Sequence, residues 1–441
     1  MINAKKDISG GSIISPPAKG IRGTVTVPGD KSISHRSLII GSIASGVTEV
    51  DGFLEVEDNL STLNAMRLLG VKIERKEKNR VVVNGGGVEA LREPSDVIDC
   101  LNSGTTARLL TGLLSAQPFF SVLTGDSSLR KRPMKRVVEP LSRMGALISG
   151  RREGSCLPLA ITGRRLRGIS YRTPMASAQL KSALLLAGLC AEGETIIEEP
   201  EKSRDHTERM LRIFGADVGI HENSIKIRST KKLKGCGIVV PGDISSAAFF
   251  IVGAAITPES ELLIKNAGIN PTRTGILKII ELMGGSVKML NVREVSGEPV
   301  ADILVKSSKL KGIDIDGQKL LPAIDEFPII CIAAAFSDGT TTISGAGELR
   351  VKESDRIAVM AELLTSIGVE VKENEDGIII KGIGCHQVKK SVIRSHGDHR
   401  IAMSAAIAAL MSREGLEIDG AKCVDVSFPG FFNVLESVRA S

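Results

Sequence analysis

Six short polar clusters interrupt a chain that is otherwise rich in Leu, Ile, Val and Ala. They are Lys31-Ser32-Ile33-Ser34-His35-Arg36, Asn102-Ser103-Gly104-Thr105-Thr106 with Arg108 one turn on, Ser177-Ala178-Gln179, Asp243-Ile244-Ser245-Ser246, Asp325-Glu326 and Gly397-Asp398-His399-Arg400. Each opens an apolar run that reads as a helix, so each marks a helix start. Helix starts carry unpaired N–H groups and the positive end of the dipole, and therefore attract anions. Taken singly, any of these clusters is an ordinary N-cap. The first, second and sixth pair a cap with a cation, and together they point to anion binding. Two more stretches add charge. Arg130, Lys131 and Arg132 stand just before a helix whose first turn holds Pro133. Lys352, Glu353 and Arg356 enter a helix striped by Ile357, Met360 and Leu364, with spacings of three and four that put them on one patch. Several Arg and Lys beside a few carboxylates suit a small substrate with several negative charges. Arg grips carboxylate or phosphate through two parallel bonds, and the carboxylates are left for proton transfer.

The elements that must place these residues repeat. Five segments, 64–73, 139–148, 208–217, 277–287 and 360–371, share one form: apolar residues three and four apart, then Gly, then alternation with period two. That pattern predicts a surface helix, a glycine stop and a strand. Before each comes a helix apolar on nearly all sides, followed by a short strand. Six such repeats are expected, with buried helices opening near 31, 102, 177, 243, 325 and 397. The sixth lacks its closing strand, and the N-terminal strand GIRGTVTVPG (20–29) is expected to fill the gap. The fold expected is α/β, in two domains of three repeats each: residues 1–29 with 243–441, and 30–242. Val-Pro-Gly-Asp occurs at 27–30 and again at 240–243. Alone it is a common turn; within the sixfold period it reads as a pair of hinges, near 28–31 and 240–243, about which helix starts from both halves share one cleft.

Composition excludes several alternatives. A length of 441 residues with 42% apolar and 24% charged side chains is that of a folded protein of more than one domain. The net charge of +6 suits anionic partners, but 3% aromatics without Trp offers few stacking platforms for single-stranded nucleic acid. The runs Arg164–Arg167 and Lys231-Lys232 read as solvated loop charge. Seven dispersed cysteines without a CxxC pair read as reduced thiols. His396 and His399 lack a third ligand, so no metal is expected. The longest apolar run, near Ala247 to Ile256, is too short to span a bilayer. Residues 1–20 read as a flexible lead-in without the apolar segment of a signal peptide. The chain is expected to be a cytoplasmic monomer with no nucleic-acid or membrane partner.

The segments VPGDKSISHRSLI, NSGTTARLL, MASAQLKSALLLAGL, LRVKESDRI and GDHRIAMSAAI resemble the signatures of the 5-enolpyruvylshikimate-3-phosphate synthases, from about residue 20 to the C-terminus. The wording of RVKESDR and DHRIAM is the most discriminating part. The resemblance implies a two-domain inside-out α/β barrel, the enolpyruvyl transferase fold. It also implies transfer of the enolpyruvyl group from phosphoenolpyruvate to the 5-hydroxyl of shikimate 3-phosphate, with no cofactor. By the same resemblance, Lys31, Ser32, Arg36, Ser177, Ala178, Gln179, Arg204, Asp325 and Lys352 would contact shikimate 3-phosphate. Lys31, Gly104, Arg132, Gln179, Arg356 and Arg400 would contact phosphoenolpyruvate. Asp325 is similar to the family's base, and Glu353, beside Lys352, to the group that protonates the enol carbon, either of that adjacent pair being able to deliver the proton; Lys31 joins these three as a catalytic candidate. The wording is similar to the class II branch, several of whose members tolerate glyphosate, yet Gly104 stands where well-known tolerant members carry Ala, and Val426 where some members carry Lys. A related transferase acting on UDP-N-acetylglucosamine typically carries a reactive Cys in the loop that reads LTGDSSLRKRP here. A basic RNA-binding module is the alternative of a different class.

Overall fold

The computed structural model describes residues 11–77, 79–230 and 232–440. The first ten residues of the lead-in and Lys231 of the basic pair lie outside the described residues. Among those described, twelve helices reach eight residues or more. In chain order they are α1 (Lys31–Ile43), α2 (Glu57–Leu68), α3 (Gly104–Ser115), α4 (Lys135–Arg143), α5 (Ala178–Gly188), α6 (His206–Ile213), α7 (Ile244–Ile256), α8 (Gly275–Leu282), α9 (Phe327–Ala335), α10 (Arg356–Ser366), α11 (His399–Ala409) and α12 (Phe431–Val438). The odd-numbered helices are buried over most of their length, and the even-numbered ones keep an exposed face. This is what their sequences dictate: a helix apolar all round has to be covered on every side. Gly70, Gly145, Gly215, Gly284 and Gly368 end α2, α4, α6, α8 and α10 with φ between 88° and 101°, the left-handed region that lets the chain turn into the next strand.

Four of the sheets share one order, a parallel pair followed by an antiparallel hairpin. In one, Ile98–Asp99 lies parallel to Phe120–Thr124, which pairs antiparallel with Cys156–Thr162 (Ser121 opposite Ile161), and Leu147–Gly150 forms the far edge. Two expectations need correction. Residues 13–15 are not a flexible lead-in: Ile13–Ser15 pairs antiparallel with Leu416–Asp419, Ile14 opposite Glu417, and completes the sixth sheet. The strand Gly20–Thr26 instead joins the fourth sheet, parallel to Glu261–Gly268 and antiparallel to Arg439–Ala440. Its inward residues Ile21 and Val25 are buried in the core beside α7, the Ile21 N–H donates to Ser260 Oγ at 2.8 Å, and a Cβ at Gly253 would already lie 3.0 Å from Ile21.

The chain divides into two compact domains. One holds residues 11–28, 242–293 and 299–440; the other holds 29–241 and 294–298. Each has its own apolar core. In the second, α3 and α5 approach so closely that a Cβ on Gly112 would fall 2.1 Å from the Ala183 carbonyl oxygen. The two Val-Pro-Gly-Asp copies exchange backbone bonds: Asp30 N–H donates to the Pro241 carbonyl and Asp243 N–H to the Pro28 carbonyl, both at 2.8 Å. No described helix is long and apolar enough to cross a membrane.

Candidate active site

In the domain holding residues 29–241, the polar openings of α1, α3 and α5 are knitted together. Asp30 caps α1 by accepting from Ile33 N at 2.9 Å, Ser103 caps α3 through Thr106 N at 3.1 Å, and Ser177 caps α5 through Leu180 N at 3.5 Å. Lys31 Nζ meets Asp58 Oδ2 at 3.1 Å, both side chains being largely covered. Arg36 is buried; its Nε donates to Thr207 Oγ1 at 2.6 Å, Nη2 to Ser182 Oγ at 2.8 Å and Nη1 to the Ser32 carbonyl at 2.9 Å. Burial, joined by the nearby Arg204 charge, pulls the Arg36 guanidinium down to about 10, against the pull of Glu208 and Asp30. The loop bearing Arg204 is anchored from beneath by Lys181, which is buried between Glu199 (2.7 Å) and Glu208 (2.8 Å) and donates to the Ser203 carbonyl at 3.2 Å.

Around Gly104 the side chains meet closely. Arg108 Nη1 donates to Gln179 Oε1 at 2.6 Å, Gln179 Nε2 donates to Thr105 Oγ1 at 3.0 Å, and Arg132 Nη2 donates to Asn102 Oδ1. A Cβ on Gly104 would lie 2.6 Å from Arg108 Nη1 and 3.7 Å from Arg132 Nη1, so two guanidinium groups border the start of α3. Two groups that sequence reasoning did not single out, Asp58 and Thr207, hold Lys31 and Arg36 in place, and Arg108 holds Gln179. Arg108 was visible one turn after Gly104, whereas no local pattern marked Asp58 or Thr207. His35 is buried with Nδ1 2.8 Å from Thr62 Oγ1, and burial, reinforced by the Lys31 and Arg36 charges, holds its imidazole well below 6.5.

In the other domain, Arg356 is the hub. Its guanidinium is 2% exposed, with Nε 2.8 Å from Asp398 Oδ2, Nη2 2.8 Å from Glu353 Oε2 and Nη1 3.6 Å from Asp325 Oδ1. Burial opposes the charge, but Asp398, Glu353 and Asp325 outweigh it and raise Arg356 above its ordinary value. Asp398 also caps α11 by accepting from Arg400 N at 2.9 Å. It is held below the usual carboxylate range by Arg356 and His399 in spite of burial. Lys352 Nζ is 3.5 Å from Glu348. Two local expectations shift. α10 begins at Arg356, behind its Asp355 cap, so Lys352 and Glu353 stand in the preceding loop rather than in the helix, and Glu353 reaches Arg356 from there. Likewise Pro133 precedes α4, which begins at Lys135; Arg130 and Lys131 form a 3₁₀ turn (Leu129–Lys131). Asp325 and Glu326 also lie in a 3₁₀ turn, which leads into α9. Among the described residues no group of three His, Cys, Asp or Glu side chains is placed to hold a metal ion.

Each domain thus presents cations at helix starts, and one adds paired carboxylates. The family described as EPSP synthase (3-phosphoshikimate 1-carboxyvinyltransferase) matches residues 16–435. A 3-phosphoshikimate 1-carboxyvinyltransferase of Geobacter metallireducens is 58% identical, covering 96% of this chain and 98% of the relative, and one from Geotalea uraniireducens is 57% identical over 96% and 98%. The solved EPSP synthase of Acinetobacter baumannii superposes with a TM-score of 0.88 at 50% identity, over 98% of both chains. The enolpyruvyl transferase NikO of Streptomyces tendae, at 14% identity and TM-score 0.79 over 97% of this chain and 96% of NikO, shares the fold. The chain belongs to the EPSP synthase (3-phosphoshikimate 1-carboxyvinyltransferase) family.

Proposed function

We propose that this chain transfers the enolpyruvyl group of phosphoenolpyruvate to the 5-hydroxyl of shikimate 3-phosphate and releases inorganic phosphate, a step toward chorismate and the aromatic amino acids. The observation that supports this best is Arg356, flanked by Asp325 and Glu353 at 3.6 and 2.8 Å: one cation for an anionic substrate with two carboxylates beside it. Lys31, Ser32, Arg36, Ser177, Ala178, Gln179 and Arg204 take the phosphorylated acceptor, joined by Asp325 and Lys352. Gly104, Arg132, Gln179, Arg356 and Arg400 take phosphoenolpyruvate, and Lys31 reaches both.

In the first step Glu353 gives a proton to the methylene carbon of phosphoenolpyruvate, while Asp325 accepts the proton of the attacking hydroxyl and a C–O bond forms at the enol carbon. The tetrahedral intermediate then collapses. Its phosphate leaves with the bonding pair and takes up the proton held by Asp325, and the new methyl group returns a proton to the Glu353 carboxylate. Positioned acids and bases of this kind contribute about 10²–10⁴-fold each. Fixed guanidinium groups and helix starts stabilise the changing charge without reorganising. The test is phosphate release from phosphoenolpyruvate with shikimate 3-phosphate or UDP-N-acetylglucosamine as acceptor. Release with the first alone is expected; release only with the second, or with neither, overturns the reading.

A further inference from the structure

Glu326 is the neighbour of Asp325, yet the proposed transfer gives it no task. Its side chain is buried, 1% exposed. Oε1 accepts the hydroxyl hydrogen of Ser245, and Oε2 has no hydrogen-bond partner among the described residues. Arg273 Nη2 donates to the same Ser245 oxygen at 2.6 Å and lies 3.3 Å from Asp243 and 4.0 Å from Glu326 Oε1. On the other side, Arg400 Nη1 stands 3.9 Å from that Oε1, beyond hydrogen-bond reach. The Arg400 side chain is 12% exposed, and no described residue makes a hydrogen bond to its guanidinium.

A carboxylate that gripped Arg400 through two bonds would compete with an incoming anion for the same donors. Here the nearest approach is 3.9 Å, so Glu326 offers charge while leaving the Arg400 donors open. Charge acts over this distance, and more strongly where water is excluded. An anion bound to Arg400 is therefore repelled from behind by Glu326.

We propose that Glu326 is the resident counter-ion of Arg400 and limits how tightly the site holds its anionic substrate, so that the anionic product can depart. It acts through Arg400, as a positioning residue. The inference rests on the reading that Arg400 takes phosphoenolpyruvate. The test is steady-state kinetics of Glu326→Gln, which keeps shape and the acceptor for Ser245 but removes the charge. The KM for phosphoenolpyruvate is expected to fall about fivefold to tenfold, with the KM for shikimate 3-phosphate within about twofold of the parent. Structural damage does not tighten binding, so the direction separates the two explanations. A phosphoenolpyruvate KM that is unchanged or raised overturns the inference. If Glu326→Gln does not fold, Glu326→Asp draws the charge back by one methylene and is expected to lower the same KM by less; no decrease overturns the inference equally. A parent enzyme that does not turn over with shikimate 3-phosphate would instead refute the proposed function.

Discussion

At the scale of single residues, neighbours of similar type are given different work by their surroundings. Asp325, 16% exposed, faces the Arg356 guanidinium, whereas Glu326, 1% exposed, bonds Ser245 and lies 3.9 Å from Arg400. Asp325→Ala is expected to lower turnover about a thousandfold, in the range of a lost general base, with substrate KM values within about fivefold; near-normal turnover would remove it from the role. Gly104→Ala sets a methyl group 2.6 Å from Arg108 Nη1, so the guanidinium has to move and loosen its 2.6 Å bond to Gln179. The expected result is a rise of about tenfold in the phosphoenolpyruvate KM with an unaltered melting temperature, because the displaced atom is the end of a flexible side chain. His35 supplies a pH dependence. Its folded imidazole stays neutral well below 6.5, so below that pH the unfolded chain binds a proton that the folded chain does not. Stability is therefore lost as pH falls below 6.5, by up to about 1.4 kcal/mol per unit. Urea unfolding at pH 7 and pH 5.5 should show a smaller acid loss in His35→Asn than in the parent.

At the scale of elements, one cap does two jobs. Asp398 closes the first turn of α11 and neutralises the buried Arg356. Removing one partner of a buried ion pair costs about 3–5 kcal/mol, so Asp398→Ala should fall near the lower end, since Glu353 and Asp325 remain beside the guanidinium. A loss below about 1 kcal/mol in urea unfolding would show that the pair does not hold these elements together. The helices and their polar openings were legible in the sequence because both are local: an all-apolar run predicts a buried helix, and a small polar residue before it predicts the cap. What escaped was non-local. Asp58 meets Lys31 from 27 residues away and Thr207 meets Arg36 from 171, distances at which no periodicity operates. The start of α10 was read one turn early because Lys352, Glu353 and Arg356 have helical spacing although only Arg356 is in the helix.

For the whole molecule, the sixfold period was legible because five glycine stops recur in register. The path of the strand Gly20–Thr26 was not, because it is placed by the fit of Ile21 beside Gly253 and Ser260, and that fit lies more than two hundred residues ahead in the chain. The candidate site was legible as residue types and incomplete as a network. Cations and carboxylates stood at recognisable helix starts, while the partners that aim them were invisible until the fold was in hand. In the proposed transfer, the enol carbon is protonated and the resulting methyl group then loses a proton. Turnover in deuterium oxide tests it directly, since that methyl group carries a solvent-derived hydrogen before elimination. Mass spectrometry of the product from phosphoenolpyruvate and shikimate 3-phosphate is expected to show deuterium in its vinyl methylene; a product formed at the normal rate with no deuterium there would rule out protonation of the enol carbon.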